Sequence, residues 1–208
     1  MKEKRFDTRR MVLLAMLSGV LLMMSFTPLG YLNIGPLAIS LNMIPVAIGA
    51  VALGPGGGAF LGAVFGITSC LQCVGIGGTS LMGVALFEIN PVLTIIQRLV
   101  PRVLAGLLTG IIYDGLGKLH FKYAPYVAGF CAALLNTVLF MTALVLLFGN
   151  TQYLQDMMAG KNVLLFIVTF VGVNALVEMF AVTVAAGAVC RALQKIKLIG
   201  GMPNAAGN

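Results

Sequence analysis

Six long apolar segments, separated by short polar or glycine-rich stretches, constrain this sequence more than any other feature. They cover residues 11–26, 41–53, 59–74, 91–112, 126–148 and 163–190. Hydrophobic residues make up 60% of the chain and charged residues only 9%. Such a chain is too apolar to remain a soluble monomer, and a helix needs about 20 residues to cross the hydrocarbon core. We therefore predict an all-α integral membrane protein with six transmembrane helices in one bundle.

The basic residues predict how this bundle is oriented. Six spans place residues 1–10, the connection 114–122 and the tail 191–208 on one side, and these hold most of the lysines and arginines. The opposite loops offer only Lys161. By the positive-inside rule, both termini are predicted to be cytoplasmic. The spans leave little sequence for a soluble domain, so residues 1–208 are predicted to form a single membrane-embedded domain in the bacterial cytoplasmic membrane.

The segment after the first span differs from the other connections. Residues 27–40 carry no charge, alternate apolar with polar residues and contain prolines and glycines. This pattern predicts a structured loop or short hairpin at the outer surface, able to close over a pocket. Its candidate lid residues are Leu29, Gly30, Tyr31 and Asn33.

Three ionisable residues inside the predicted spans are the strongest functional signal. Each costs about 2.5–3.5 kcal/mol to insert, so they need partners or a water-filled cavity. Arg98 and Arg102 share a helix face about 10 and 16 Å below the outer end of their span, and Glu178 lies about 22 Å deep. If Glu178 pairs with Arg102, Arg98 leaves a positive charge that suits an anionic substrate, a carboxylate above all. The alternative is that Glu178 only ties two helices together while Arg98 extends to the interface.

Neutral polar side chains at comparable depth extend this candidate substrate-binding site. Each could equally form a hydrogen bond between helices. They are Gln72, Asn90, Gln97, Asn136 and Asn174.

Small residues predict two further contacts. Gly58, Gly62 and Gly66 recur every four residues and would let a neighbouring helix approach closely. In the first span, Ala15 and Gly19 form a similar patch, which either packs inside the bundle or docks a partner membrane protein.

The sequence contains no protease, esterase or nucleotide-hydrolysing motif, so no catalytic residue, metal site or cofactor is predicted. If the protein concentrates a substrate, the energy must therefore come from elsewhere. A self-sufficient secondary transporter or channel for a small organic anion is the alternative, with Glu178 as its proton-coupled group.

Several short motifs, taken in order, resemble one family. In the first half they are Thr27-Pro-Leu-Gly-Tyr-Leu, Asn42-Met-Ile-Pro-Val-Ala-Ile-Gly49, Leu53-Gly-Pro55 and Gly58-Ala-Phe-Leu-Gly62 with Phe65-Gly66. In the second half they are Asn90-Pro91, Pro101-Arg102 with Gly106, and Asn174 with Glu178. Together they resemble the substrate-binding S components of energy-coupling factor (ECF) vitamin transporters, over nearly the whole chain.

This resemblance implies six helices, a vitamin pocket near the outer face covered by the loop after the first helix, and no catalysis by this chain. It also implies two kinds of partner, a transmembrane coupling subunit and two cytosolic ATPases that drive uptake. Family members commonly dock through an Ala-x-x-x-Ala patch on the first helix, where this chain has Ala15 and Gly19. The Leu-Gly-Tyr, Ile-Pro-Val and Pro-Arg segments look most like the pantothenate-type members; folate, riboflavin and other vitamins remain open.

Overall fold

A helical bundle with one short hairpin makes up the computed structural model, which describes residues 8–27, 30–33, 38–77, 80–119, 121–158 and 163–195. The elements in chain order are α1 (Thr8–Ser25), β1 (Tyr31–Asn33), β2 (Ala38–Ser40), α2 (Met43–Leu53), α3 (Pro55–Cys73), α4 (Leu81–Ile89), α5 (Pro91–Lys118), α6 (Ala124–Phe148), α7 (Gln152–Met158) and α8 (Val163–Lys195). Among these helices, five are long and apolar enough to cross a membrane. The predicted all-helical membrane fold is confirmed.

The short helix α2 lies at the centre of the bundle. It has 11 residues, which at 1.5 Å per residue is about 16 Å, well short of the roughly 30 Å hydrocarbon core. Nearly all of its side chains are buried, and it packs against α1, α3, α5, α6 and α8. Because other helices surround it, α2 does not need to reach both membrane surfaces. The count of six spans and the cytoplasmic termini therefore remain predictions.

Glycines bring α3 and α5 together, as their spacing predicted. A Cβ atom at Gly58 would overlap the backbone of Gly106, and one at Gly62 would overlap the carbonyl group of Arg102. One turn further on, Gly66 faces the backbone of Leu99. The two helices are therefore in backbone contact along the stretch of α5 that carries the arginines.

The predicted hairpin is present. Strands β1 and β2 pair antiparallel with Tyr31 opposite Ser40, and the Leu41 amide donates to the Gly30 carbonyl at 3.0 Å. Strand β2 lies against α8. The end of α3 and the start of α5 lie at the same end of the bundle as these strands.

Two helices appear where the sequence predicted only connections. Helix α4 lies in the predicted glycine-rich connection 75–90, and the Ser80 hydroxyl caps it by accepting from the Gly83 amide at 3.2 Å. Helix α7 lies in the predicted loop 149–161, and its Leu154 is buried against Leu86 and Phe148. Both helices are too short to span a membrane, so a search for long apolar runs overlooks them.

The start of α3 also corrects the prediction. The third span was predicted to start at residue 59, but the helix begins at Pro55, directly after Gly54 with φ of 80°. Proline is well tolerated in the first turn of a helix, where its missing N–H has no intrahelical partner. Of the glycines that follow, Gly58 faces the backbone of Gly106 in α5, whereas no described atom lies within 4 Å of a Cβ added at Gly56.

Candidate functional site

Helix α5 positions the two arginines inside the bundle. Asn90 caps its first turn, since the side-chain oxygen accepts a hydrogen bond from the Leu93 amide at 3.1 Å, and Pro91 follows as the first helical residue. Seven and eleven residues further on, the side chains of Arg98 and Arg102 are each only 5% exposed. Two positive charges are thus held within the protein, one helical turn apart.

Among the described residues, the Arg98 guanidinium donates hydrogen bonds only to neutral groups. Its Nη1 donates to the Ser69 hydroxyl at 3.1 Å, and its Nη2 donates to the Ser80 hydroxyl at 3.3 Å. Its Nε has no hydrogen-bond partner within the described part of the chain. Hydroxyl oxygens carry no net charge, so these bonds hold the side chain in place without neutralising it.

Arg102 lies between two aromatic rings. Its Cζ is 4.5 Å from the ring centroid of Phe65 and 5.2 Å from that of Phe140. The Arg98 Cζ lies 5.5 Å from the same Phe140 ring. The negative faces of these rings stabilise the cations and, being apolar, restrict access of water.

Glu178 forms the other charged part of the site. The Glu178 carboxylate is buried in α8, interacts electrostatically with Arg102 and accepts a hydrogen bond from the backbone amide of Ser40. Its Oε1 also accepts from Asn136 Nδ2 at 3.4 Å. The structure therefore brings Glu178 near Arg102, as their depths predicted, and connects it to the hairpin.

Several polar atoms in this region are buried without a partner among the described residues. Both side-chain polar atoms of Gln97 and of Asn42 belong to this group, as do the Ser40 hydroxyl and Asn136 Oδ1. Gln97 and Asn42 are fully inaccessible. Buried polar groups normally have hydrogen-bond partners, and each exception calls for an explanation. Asn136 and Ser40 both bond to Glu178, and unpaired polar atoms beside a buried ionisable group are typical of a site that binds a polar molecule.

Two other predicted site residues use their amides within the protein. Gln72 donates from Nε2 to the Ser25 carbonyl at 2.8 Å and thereby joins the ends of α3 and α1. Asn90 caps α5. A contact of either side chain with a substrate remains a prediction.

Some predictions fall on residues that the structure does not fully describe. Asn174 lies in α8, and Tyr31 and Asn33 lie in β1, but only their backbone is described. Leu29 lies outside the described residues. Gly30 is buried against the Met24 carbonyl and near Asn42 Oδ1, at the base of the hairpin.

The predicted docking patch lies on the outside of the bundle. In α1, Ala15 and Gly19 are both exposed, and no atom of the described neighbours would come within 4 Å of a Cβ added at Gly19. Only Leu17, Leu21 and Ser25 of this helix are buried. The patch is therefore accessible to another protein.

Sequence reasoning missed the side chains that surround the charges. Ser69 and Ser80 could not be distinguished from ordinary helix and loop serines. Phe140 could have been identified, because it lies four residues after Asn136 and so shares its helix face. Ser40 was missed because its contribution is a backbone amide, which the identity of a residue does not reveal.

A separate surface depression of about 590 Å³ lies between α4 and α7 and contains none of the predicted site residues. It is lined by Ala85, Glu88, Ile89, Thr151, Gln152 and Tyr153. The convergence of buried charge and unpaired polar atoms thus makes the region around Arg98 and Glu178 the candidate site.

Comparison with known proteins assigns the chain to a family. The family "ECF transporter, substrate-specific component" matches residues 9–189, which is most of the sequence. The chain belongs to this family. It is therefore a multi-pass protein of the cell membrane and the substrate-specific component of a transporter, as the motifs indicated. The family consists of transporter subunits rather than enzymes, and membership implies association with an ECF module of membrane and ATPase subunits.

Two curated relatives align over nearly their whole length. The chain is 26% identical over 198 residues to the "Pantothenate transporter PanT" of Leuconostoc mesenteroides, with 91% of this chain and 94% of the relative covered. It is 24% identical over 205 residues to the "Pantothenic acid transporter PanT" of Lactococcus lactis, with 93% and 98% covered.

Proposed function

We propose that this chain captures pantothenate at the membrane for uptake by an ECF transporter, with Arg98 as the counter-ion of the pantothenate carboxylate. The observation that carries the proposal is the buried Arg98 guanidinium, whose hydrogen-bond acceptors are the neutral hydroxyls of Ser69 and Ser80. The names of the two relatives support pantothenate over other anionic vitamins.

A buried guanidinium held by neutral groups favours an anionic ligand for an energetic reason. Desolvating a charge costs several kcal/mol unless an opposite charge and hydrogen bonds compensate for it. Arginine presents a fork of donors that matches the two oxygens of a carboxylate. A carboxylate at Arg98 would supply the missing negative charge.

The other polar groups would bind the rest of the ligand. We propose that Gln97, Asn136 and Glu178 take part, with Arg102 placed between Arg98 and Glu178, and that Asn174 contributes from α8. The hairpin, including Gly30, Tyr31 and Asn33, would cover the ligand. Substrate contacts at Gln72, Asn90 and Leu29 stay as predictions from the sequence.

The energy for uptake would come from other subunits. We propose that residues 1–208 act as one membrane-embedded domain without a catalytic residue, metal or cofactor. A transmembrane coupling subunit would dock on the α1 patch containing Ala15 and Gly19, and two cytosolic ATPases would drive transport.

Calorimetric titration of the purified chain with pantothenate tests the ligand assignment. Replacing Arg98 by methionine removes the charge and keeps much of the volume, so affinity is expected to fall at least about 30-fold, corresponding to about 2 kcal/mol. Arg191→Met is the matched control, because this arginine is exposed near the other end of the bundle, over Tyr123. Unchanged affinity in a folded Arg98→Met protein would refute the assignment.

Proteoliposomes distinguish this proposal from a secondary transporter. The chain alone is expected to bind pantothenate without accumulating it, and accumulation should require the coupling subunit, the ATPases and ATP. Uptake by the chain alone, driven by a proton gradient, would instead establish the alternative in which Glu178 carries the proton.

A further inference from the structure

The polar groups of the site form two ends with different chemistry. The arginine end consists of Arg98 with its acceptors Ser69 and Ser80. The acceptor end consists of Glu178, Asn136 and Ser40, contributed by α8, α6 and β2. Arg102 and Phe140 lie between them, because Phe140 contacts both guanidinium groups and Arg102 interacts electrostatically with Glu178.

The acceptor end has more acceptors than donors. Asn136 donates a hydrogen bond from Nδ2 to Glu178, so its remaining polar atom is Oδ1, which can only accept a hydrogen bond. The Ser40 hydroxyl is also buried without a described partner and can accept as well as donate a hydrogen bond. A carboxylate has several lone pairs, and the described contacts to Glu178 leave some of them for further donors. This end therefore suits ligand groups that carry O–H or N–H hydrogens.

A carboxylate is poorly suited to the acceptor end. It would lie beside the Glu178 carboxyl group, and two neighbouring carboxyl groups cannot both ionise without strong repulsion where little water screens them. At Arg98 the same carboxylate would meet a guanidinium held by neutral hydroxyls. The electrostatics therefore favour one orientation for a ligand with an anionic end and a hydroxyl-bearing end.

We infer that the site binds pantothenate in one direction, with the carboxylate at Arg98 and the hydroxyl groups donating to Glu178 and Asn136. This inference rests on the proposed function, since it assumes that pantothenate is the ligand. Glu178 is then a specificity-determining residue that selects for hydroxyls at the end of the molecule far from the carboxylate.

Binding measurements that combine three ligands with three forms of the protein test the orientation. The ligands are pantothenate, its neutral alcohol pantothenol, in which a hydroxymethyl group replaces the carboxylate, and an analogue in which hydrogen replaces the distal hydroxyls. The proteins are the unsubstituted full chain, Arg98→Met and Glu178→Gln, each measured by calorimetric titration in the same detergent.

Each of the two substitutions is expected to lose its effect on affinity for a different ligand. For pantothenate, Glu178→Gln should weaken binding about 10- to 100-fold, because it removes a charged acceptor. For the deoxy analogue this loss should largely disappear, while the loss from Arg98→Met persists. For pantothenol the pattern should reverse, with Arg98→Met having little effect and Glu178→Gln keeping its full effect.

Two outcomes overturn the orientation and leave the proposed function standing. One is an equal loss from Glu178→Gln for pantothenate and for the deoxy analogue, which would show a structural role only. The other is a gain in pantothenate affinity from Glu178→Gln that disappears with pantothenol, which would place the carboxylate at the acceptor end. If the unsubstituted chain does not bind pantothenate, the proposed function falls and the inference falls with it.

A second variant keeps the test decisive if Glu178→Gln does not fold. Asn136→Leu removes the amide with little change in volume, and its loss of affinity is expected to depend on the distal hydroxyls in the same way. A loss that is the same for all three ligands would overturn the inference.

Discussion

Arg102 donates a hydrogen bond from Nη1 to the backbone carbonyl oxygen of Arg98, one helical turn earlier in α5, at 2.6 Å. Like charges at this spacing ordinarily destabilise a helix. Here the Phe140 ring contacts both guanidinium groups and offsets part of their repulsion. Pro101 lies between them and has no N–H to donate to the Gln97 carbonyl. The arginine pair is therefore fixed by the backbone of its own helix and by α6.

Ser69 is expected to act on the ligand only through Arg98. Ser69→Ala removes the acceptor of Nη1, so pantothenate affinity should fall about fivefold, which corresponds to one hydrogen bond of about 1 kcal/mol. In the Arg98→Met background the same substitution should have no effect. Titration of the two single variants and the double variant measures this coupling. Additive losses would contradict it and indicate that Ser69 contacts the ligand itself.

Phe140→Leu should weaken both stability and binding. The substitution removes the ring face shared by the two guanidinium groups, whose contribution is about 0.5–2 kcal/mol for each cation–π contact. Phe130→Leu is the matched control in α6, since Phe130 is 43% exposed. Thermal unfolding and titration of both variants check the prediction, and equal effects of the two substitutions would contradict it.

Because α3 and α5 are in backbone contact, replacing glycine by alanine is expected to change stability differently at two positions in α3. Gly62→Ala forces a methyl group against the Arg102 carbonyl, so it should destabilise the bundle by about 1–3 kcal/mol and displace Arg102. Gly56→Ala, one to two turns earlier in α3, meets no described atom within 4 Å and should be neutral or slightly stabilising. A comparison of the two melting temperatures in one detergent checks this. If Gly62→Ala unfolded no earlier than Gly56→Ala, the close approach of the helices would be wrong.

The sequence was most informative where a residue type has few functions inside a membrane. Arg98, Arg102 and Glu178 stood out because charge in a span needs a reason, and the structure brings Arg102 close enough to Glu178 for an electrostatic interaction. The regular spacing of Gly58, Gly62 and Gly66 likewise identified the surface that packs against α5.

The sequence was least informative where contacts depend on tertiary geometry. Helices α4 and α7 are short and depend on burial in the bundle, so neither length nor apolar periodicity distinguishes them from loops. The amides of Gln72 and Asn90 looked like candidate ligand groups but form a link to α1 and a helix cap. Only the arrangement of the helices shows which partner a neutral polar side chain has.

The exposed patch on α1 predicts a variant that separates binding from transport. Gly19→Leu fills the small-residue surface that the proposed coupling subunit would contact, and no described atom lies within 4 Å of the added Cβ, so the bundle should fold normally. Pantothenate affinity of the purified chain should be unchanged, because Gly19 faces away from the buried arginines. ATP-dependent uptake by the complete transporter should be lost.

Val20→Phe is the control for this prediction, because Val20 is 46% exposed and lies about 100° around the helix from Gly19. It adds bulk outside the patch and should preserve uptake. Normal uptake with Gly19→Leu would exclude the patch from the docking surface, and a loss of affinity would show that α1 contributes to the binding site.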